Sequence, residues 1–265
     1  MARPLIALLT DFGTRDHYAG VMKGVILGIC PDATLVDISH DLPPHDIAFA
    51  AQELAASYRF FPAGTIFVVV VDPGVGTTRR GLAADLGDRK FVAPDNGVLT
   101  AVFQETPPKK VVELTERRFA RPTVSRTFEG RDRFAPAAAW LAKGTHLEAF
   151  GRAVTDYRML DLPLPILDNG VLRGHVIRID RFGNVVTNID RKSFDKLAGN
   201  SVLQLTVRGQ QIGRIVSTYA DITPGDVGAL FGSTDHLECS AQAESAAARL
   251  GVGVGDPVEL RRVTV

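Results

Sequence analysis

The apolar and polar positions in the first part of the chain form short apolar runs that alternate with segments of helical period. The clearest run is 66–71, IFVVVV, which is too short for a helix and rich in β-branched residues. Such a run is typical of a strand buried on both faces, so the alternation predicts an α/β domain with a mainly parallel sheet. Strands are predicted at 4–10, 34–39, 66–71, 81–85 and 90–93, and helices at 16–30, 47–58, 98–104 and 132–143.

The pattern changes near 161–165, DLPLP, where two closely spaced prolines favour an extended linker. Beyond this segment, short runs of strand character are separated by turn residues, and only 244–250 has a helical pattern. This part predicts a small all-β, barrel-like domain. The expected boundaries are 1–160 for the α/β domain, 161–170 for the linker and 171–265 for the β domain. Strands are predicted at 174–179, 201–207, 211–216, 229–232, 236–240 and 257–263.

Composition and charge exclude several classes of protein. The 265 residues include 45% hydrophobic and 23% charged residues, with 30 basic and 30 acidic side chains, so the formal net charge is zero. A binder of the nucleic-acid backbone needs a basic face, which this balance does not suggest. No apolar run reaches membrane-spanning length, and the two cysteines, Cys30 and Cys239, have no metal-site or disulfide-framework spacing. We therefore expect a cytoplasmic protein with neither nucleic-acid nor membrane partners.

Two carboxylates follow predicted strands directly. Asp11 comes after the run 4–10, and Asp72 comes after the run 66–71. In open α/β sheets ligands bind outside the carboxyl ends of the strands, so Asp11 is a candidate acceptor for ligand hydroxyls such as a ribose diol. Gly74 and Gly76 allow close backbone approach, and Arg79 follows Asp72 by seven positions. The alternatives are an Asx-type turn at Asp11 and a Pro-Gly turn with a solvated Asp72.

A second group of candidates is His40, Asp41, His45 and Asp46, which could ligate a metal in a metal-dependent hydrolase. Two prolines lie between the pairs, so these side chains do not share a helix face as in the HExxH motif. We expect no metal site here, and Asp46 is better suited to cap the following helix.

Two further segments combine turn residues with chemistry-bearing side chains. The segment 128–132, FEGRD, places two acids and a base just before a predicted helix, and Glu129 is the candidate site residue. The alternative is that Asp132 is the helix N-cap and Glu129 is solvated. The segment 180–184, DRFGN, ends in Asn184, whose amide has the donor and acceptor that an adenine edge requires. The alternative for Asn184 is a tight β-turn that selects asparagine for its backbone.

Five motifs in one order identify a family that the chain resembles. They are TDFG at 10–13, DPGVGTTR at 72–79, APDNG at 93–97, TFEGRDRFAP at 127–136 and DRFGNVVTN at 180–188. Together they resemble the S-adenosyl-L-methionine (SAM) hydroxide adenosyltransferases, the SAM hydrolases that are related to fluorinating and chlorinating enzymes.

The resemblance implies hydrolysis of SAM to adenosine and L-methionine, with SAM as substrate and no cofactor or metal. It also implies a homotrimer in which the ligand lies between the N-terminal domain of one subunit and the C-terminal domain of its neighbour. It implies that Asp11 binds the ribose hydroxyls, that Asn184 binds the adenine edge, and that Phe128 lines the pocket. The residues it implies for the methionine part are Asp16, Asp180, Ser233 and the backbone of Thr234.

The water-handling group of the family hydrolases is an Asp, an Arg and a His, and the first two match Asp72 and Arg79. Glu129 stands where the His is expected, since TFHGRD reads TFEGRD here. We expect Glu129 to pair with Arg79 or to accept a hydrogen bond from the attacking water. Two carboxylates disfavour an anionic nucleophile, so Asp72 and Glu129 favour water over halide. The rival functions are capture of SAM or adenosine without turnover, and halide-dependent adenosyl transfer.

Overall fold

The computed structural model describes residues 3–199 and 201–263. The chain divides into two compact units, Met1–Leu162 and Pro163–Val265. The division falls inside the proline-containing segment at which the sequence pattern changes. The two units are described separately below.

The first unit is an α/β unit, as predicted. Its elements are β1 (Leu5–Thr10), α1 (Tyr18–Ile29), β2 (Thr34–Ser39), α2 (Ile47–Tyr58), β3 (Ile66–Val70), β4 (Gly81–Asp85), β5 (Lys90–Pro94), α3 (Thr100–Glu105), β6 (Lys110–Glu113) and α4 (Ala135–Ala142). A π-helical turn at Gly130–Phe134 leads into α4. Short 3₁₀ turns lie at Arg117–Phe119 and Leu147–Phe150.

The sheet of the first unit is mixed and has the order β2-β1-β3-β5-β4-β6. The pairs β1–β2, β1–β3 and β3–β5 are parallel, whereas β4 pairs antiparallel with both β5 and β6. The parallel part matches the prediction. The antiparallel part follows from the connection at 86–89, which is too short for a parallel crossover and makes a hairpin of β4 and β5. The pattern did not predict β6, which has only two apolar residues.

Strand β3 lies at the centre of this sheet and is buried on both faces. Phe67 and Val69 pack into the apolar core that contains α2 and α3, and Phe67 stacks on Phe91 with 4.9 Å between ring centroids. Val68 and Val70 pack into the core on the other face, which contains α1 and α4. Alternate side chains of β3 therefore enter two different apolar cores, which explains why every position of the run is apolar.

The second unit is built mainly of antiparallel strands. Its elements are β7 (Ile166–Asp168), β8 (Val171–Ile179), β9 (Val185–Asp190), α5 (Arg191–Ala198), β10 (Leu203–Val207), β11 (Gln210–Gln211), β12 (Val227–Phe231), β13 (His236–Ala241), α6 (Ala246–Leu250) and β14 (Pro257–Arg262). The eight strands form one sheet. Seven of them follow the order β11-β10-β14-β8-β9-β13-β12, and the eighth, β7, pairs with β8.

Three details of the second unit differ from the sequence predictions. Helix α5 was not predicted, although Phe194 and Leu197 are spaced as on one helix face and Asp190 caps the helix by accepting from the Ser193 N–H. Of the predicted strand 211–216, only Gln211 lies in a strand, the two-residue β11 (Gln210–Gln211). Strand β7 lies inside the segment 161–170 that was expected to be a linker. Closure of the sheet into a barrel stays a prediction.

In the described part of the chain, 3–199 and 201–263, the helices are too short or too polar for any of them to span a bilayer.

Candidate active site

Asp72, Arg79 and Glu129 form one buried ionic cluster. The Arg79 Nε–H donates to Asp72 Oδ1 at 2.9 Å, and its Nη2 group donates to Asp72 Oδ2, so the pair is bidentate. The same Nη2 lies 2.6 Å from Glu129 Oε2. The side chains of Asp72, Arg79 and Glu129 are only 5%, 8% and 12% exposed. The structure therefore brings together the three residues predicted to handle water, with Arg79 between the two acids.

Local backbone geometry holds this cluster together. The loop that carries Arg79 turns at Gly76, whose φ of +81° lies in the left-handed region, and a Cβ there would lie 2.6 Å from the Arg126 carbonyl oxygen. Glu129 directly precedes the π-helical turn. Single π turns inside helices occur often at functional sites because they redirect side chains. The Arg79 guanidinium also lies over the Phe134 ring, 5.3 Å from its centroid.

Burial and charge act in opposite directions on Asp72. Burial raises the pKa of its carboxyl group, and the negative charge of Glu129 adds to this effect. The hydrogen bonds and charge of Arg79 oppose it, yet the pKa of Asp72 stays above its ordinary value. For Arg79, burial lowers the pKa, but the hydrogen bonds to Asp72 and the negative charges of both acids raise it above its ordinary value, so the guanidinium is held in its charged form.

Glu129 retains unused hydrogen-bonding capacity. Its Oε2 is buried and close to Arg79, but the N–H directions do not provide a hydrogen bond of acceptable geometry to this atom. Its Oε1 lies 3.7 Å from Nε of Arg133, one helical turn further along. A buried acceptor without a donor costs free energy, so this oxygen is suited to accept from a water or a ligand.

Asp11 lies at the same edge of the sheet as Asp72. Thr10 is in parallel register with Val70, so the two acids follow neighbouring strands at their carboxyl ends. Asp11 Oδ2 accepts a hydrogen bond from the His45 backbone N–H at 2.9 Å. Asp11 is half-buried. The position of Asp11 is consistent with its predicted role, in which the carboxylate accepts hydrogen bonds from ligand hydroxyls at this edge of the sheet.

The His40–Asp46 segment has structural contacts of its own. The His40 ring is buried, with Nδ1 2.8 Å from Thr10 Oγ1 and Nε2 3.0 Å from Asp37 Oδ1. Asp46 caps α2 by accepting from the Phe49 N–H at 2.8 Å, which confirms its predicted role. Within residues 3–199 and 201–263, no three or more His, Cys, Asp or Glu side chains are grouped as metal ligands would be.

Phe128 belongs to an aromatic group beside Asp11. Its ring packs edge-on against Phe12 and Tyr18, with centroids 5.8 Å and 5.1 Å away. Phe128 is buried, whereas Tyr18 is 40% exposed, so an aromatic wall reaches the surface here. Sequence reasoning missed Phe12 and Tyr18, although Phe12 directly follows Asp11. The predicted site residue Asp16 is exposed and lies just before α1.

Asp132 is a structural acid and not a helix N-cap. Its side chain is fully buried and accepts from Nε and Nη2 of Arg131 and from the Ser125 backbone N–H at 2.8 Å. Burial alone would raise the pKa of Asp132, but these bonds lower it below its ordinary value. The contacts tie the segment before Phe128 to the π-helical turn, which positions Glu129.

In the second unit, Asp180 and Asn184 belong to one turn between β8 and β9. Asp180 Oδ1 accepts from the backbone N–H groups of Phe182 and Asn184, and Oδ2 accepts from the Asn184 side-chain amide, all at 2.9 Å. Asn184 is buried, and Gly183 between them has a φ of +84°. The pair therefore shapes the turn, and the Asn184 side-chain oxygen makes none of these bonds.

Ser233 and Thr234 lie in a second turn of this unit, between β12 and β13. Behind this turn is Glu238, a buried acid that sequence reasoning missed: a Cβ at Gly232 would lie 2.2 Å from its Oε2. Tyr219 donates to Glu238 Oε1 at 2.6 Å, and this bond, with burial, raises the pKa of Tyr219 to about 12. Burial raises the pKa of Glu238. Alternation along β13 places Leu237 and Cys239 in the apolar core and Glu238 on the opposite face, so the pattern gives no signal of a buried acid.

The pH dependence of stability tests the electrostatics of Asp72. Because its pKa is raised from the ordinary 3.8, the folded chain binds this proton more tightly than the unfolded chain. Its contribution to stability is therefore present below pH 3.8 and is lost as pH rises through the folded-state pKa. The free energy of unfolding of the natural protein minus that of Asp72→Asn should fall as pH rises from about 4 to about 7 in urea titrations. Asp88→Asn, at an exposed turn, is the control, and a difference that rises with pH would contradict the assignment.

The turn that carries Asp180 and Asn184 should not tolerate a side chain at Gly183. A Cβ there would lie 2.1 Å from Ser245 Oγ and 2.7 Å from Ser245 Cα, in addition to the positive φ. Gly209 is the matched control, with a φ of +76° and no atom within 4 Å of its Cβ. We expect Gly209→Ala to cost about 1 kcal/mol and Gly183→Ala about 3 kcal/mol or more in urea unfolding. Equal losses would show that packing against Ser245 is unimportant.

The chain is similar to known proteins over most of its length. The family model described as SAM hydroxide adenosyltransferase N-terminal domain matches residues 6–151, and the C-terminal domain of the same family matches residues 174–259. A Thermus thermophilus protein named (R)-S-adenosyl-L-methionine hydrolase is 36% identical over 96% of this chain and 98% of the relative. A Salinispora tropica protein of the same name is 35% identical over 96% of each chain.

A protein named fluorinase and a solved structure are also similar to this chain. A Nocardia brasiliensis protein named fluorinase is 30% identical over 98% of this chain and 97% of the relative. The crystal structure of an uncharacterized conserved protein from Thermotoga maritima has a TM-score of 0.92 at 36% identity, covering 97% of this chain and 100% of that chain. Both family models and relatives over nearly the whole length show that the chain belongs to the SAM hydroxide adenosyltransferase family.

Proposed function

We propose that this protein hydrolyses S-adenosyl-L-methionine to adenosine and L-methionine by attack of a positioned water on the ribose C5′ carbon. The observation that carries the proposal is the buried Asp72–Arg79–Glu129 cluster at the sheet edge where Asp11 also lies. The names of the Thermus and Salinispora relatives support the same reaction. Asp11, Asp16, Phe128, Asp180, Asn184, Ser233 and Thr234 are the proposed substrate-binding residues.

The chemistry needs placement more than acid catalysis. The sulfonium is already an activated leaving group, and methionine departs as a neutral thioether. The protein must hold a water in line with the C5′–S bond, and such positioning can lower a barrier by several kcal/mol. Water is a weak acid, so a nearby acceptor for its proton assists the attack. Glu129 Oε2 is a buried acceptor without a hydrogen bond, and Asp72 anchors Arg79 beside it.

The charge of the cluster favours water over halide. Asp72 and Glu129 outnumber Arg79 within the cluster, so a halide placed between these carboxylates would be repelled and the cationic sulfonium attracted. Arg133, 3.7 Å from Glu129 on its other side, offsets part of this charge. This argument separates the proposed hydrolysis from the halide-dependent transfer that the name of the fluorinase relative denotes.

We propose further that the site is shared between subunits of a cytoplasmic homotrimer and that the second unit is barrel-like, as the family resemblance implies. The reaction uses no metal, cofactor or nucleic acid. The proposed binding residues divide between the two units, with Asp11, Asp16 and Phe128 in the first and the others in the second. A site shared between neighbouring subunits brings these two sets together.

Incubation with SAM, followed by chromatography for adenosine and methionine, tests the activity. We expect equal adenosine with and without chloride, and no 5′-halo-adenosine. Glu129→Gln should lower kcat about 100-fold while SAM still binds, since general-base assistance has this size, and Asp72→Ala should lower it more because Arg79 loses its anchor. Glu148→Gln, at an exposed glutamate paired with Lys110, is the control and should retain full activity.

The outcomes of this assay distinguish the rival functions. Binding of SAM without adenosine release would favour a binding protein. Chloride-dependent 5′-halo-adenosine would favour a halogenating enzyme. Unchanged turnover in Glu129→Gln would remove Glu129 from the mechanism, and turnover abolished by EDTA would favour the metal-dependent hydrolase built on His40, Asp41, His45 and Asp46.

Mixing two inactive variants tests whether subunits share the site. Asp72→Ala damages the first unit, and Asn184→Ala damages the second. Subunits exchanged by mild denaturation and refolding should regain activity, because some sites then combine an intact first unit with an intact second unit. Each variant refolded alone is the control. No recovery in confirmed mixed oligomers would place each site within one subunit.

A further inference from the structure

A cavity of about 850 Å³ lies in the first unit beside the ionic cluster. It is bounded largely by the segment 114–126, and Glu129 is the member of the cluster that lines it. Arg133, which is 38% exposed, also lies on its wall. A polar cavity of this size has ample room for water. Glu129 therefore connects the buried cluster with a space that water can fill.

The two carboxylate oxygens of Glu129 have different surroundings. Oε2 lies 2.6 Å from Arg79 Nη2, is buried, and lacks a hydrogen bond of acceptable geometry. Oε1 lies 3.7 Å from Arg133 Nε, which is on the cavity wall. The terminal torsion of a glutamate is broad and roughly two-fold, so a turn of the carboxyl group exchanges the two oxygens.

The proposed reaction produces a proton that must leave a buried site. SAM carries the sulfonium charge, whereas the thioether of methionine and the 5′-hydroxyl of adenosine are neutral. Charge balance therefore requires release of one proton for each SAM hydrolysed. Asp72 uses both its oxygens on Arg79, so Glu129 is the carboxylate of the cluster that is open to this proton.

We propose that Glu129 takes the proton of the attacking water and passes it out through this cavity, with Arg133 as a positioning residue. The inference rests on the proposed function and deepens it. The water oxygen forms the bond to C5′ while the C5′–S bond breaks with its electron pair staying on sulfur. The proton of the attached water moves to Glu129 Oε2, and the carboxyl group then turns and gives it to water or a small base in the cavity.

The charge of the cavity wall indicates which bases it admits. Five arginines line it, against two acids, so its field favours small anions. Small carboxylates are both anionic and basic, which makes formate a suitable probe. The arginines are Arg117, Arg118, Arg121, Arg126 and Arg133, and the acids are Glu116 and Glu129.

Chemical rescue tests the route. Glu129→Ala leaves Arg79 and Arg133 facing the space of the lost carboxylate, and this space opens to the cavity. We expect formate to raise the turnover of Glu129→Ala at least tenfold with saturation, whereas sodium nitrate at equal ionic strength should not. Glu129→Ala/Arg133→Gln should need a severalfold higher formate concentration for half-maximal rescue. Glu129→Ala/Arg152→Gln is the matched control, since Arg152 pairs with Glu113 away from the cavity lining, and its rescue should be unchanged.

The results distinguish failure of this inference from failure of the proposed function. Adenosine formation by the natural protein without formate rescue, or with rescue equal in the two double variants, would overturn the proton route. No adenosine from the natural protein would instead overturn the proposed function.

If Glu129→Ala does not fold, single variants at Arg133 test the same inference. Arg133→Gln should lower kcat at least fivefold with KM unchanged, and Arg133→Lys should have the kcat of the natural protein. Equal kcat in the natural protein, Arg133→Gln and Arg133→Lys would reject the role of Arg133.

Discussion

The candidate site depends on one guanidinium held between two buried carboxylates. Without Arg79, Asp72 and Glu129 would be two like charges in a poorly solvated place, and at least one would be driven to its neutral form. Removing one partner of a buried ion pair is strongly destabilising because the other charge is left uncompensated. The Arg79 contacts thus join the loop after β3 to the π-helical turn, which are 50 residues apart in sequence (79 and 129).

The sheet explains why this cluster forms where it does. Strands β1 and β3 are adjacent, parallel and buried, so the residues that follow them emerge at one edge, where Asp11 and Asp72 can face the same space. Helix α4 and its π turn cover one face of the sheet and bring Glu129 to that edge. Apolar strands thereby fix the positions of polar groups that could not stabilise such an arrangement by themselves.

Sequence reasoning succeeded where the information is local. The apolar run of β3, the cap at Asp46 and the pairing of Glu129 with Arg79 were all predicted from residue type, spacing or family motif. It missed α5, although the Asp190 cap and the i,i+3 pair of Phe194 and Leu197 are local signals of a short amphipathic helix. It failed where long-range packing decides, since the Tyr219–Glu238 bond joins residues that no motif links. The cavity beside Glu129 is likewise invisible in the sequence, because a segment with no regular pattern forms much of its wall.

Charge conservation within the proposed site connects these observations. Before reaction the cluster carries one net negative charge and the sulfonium one positive charge. After transfer of the proton to Glu129, both the cluster and the departing thioether are neutral. A weakly solvated site penalises the creation of charge, and this path creates none. A halide attacking the same carbon would neutralise the sulfonium but leave the negative charge of the cluster in place, so the removal of both charges is particular to the proposed attack by water.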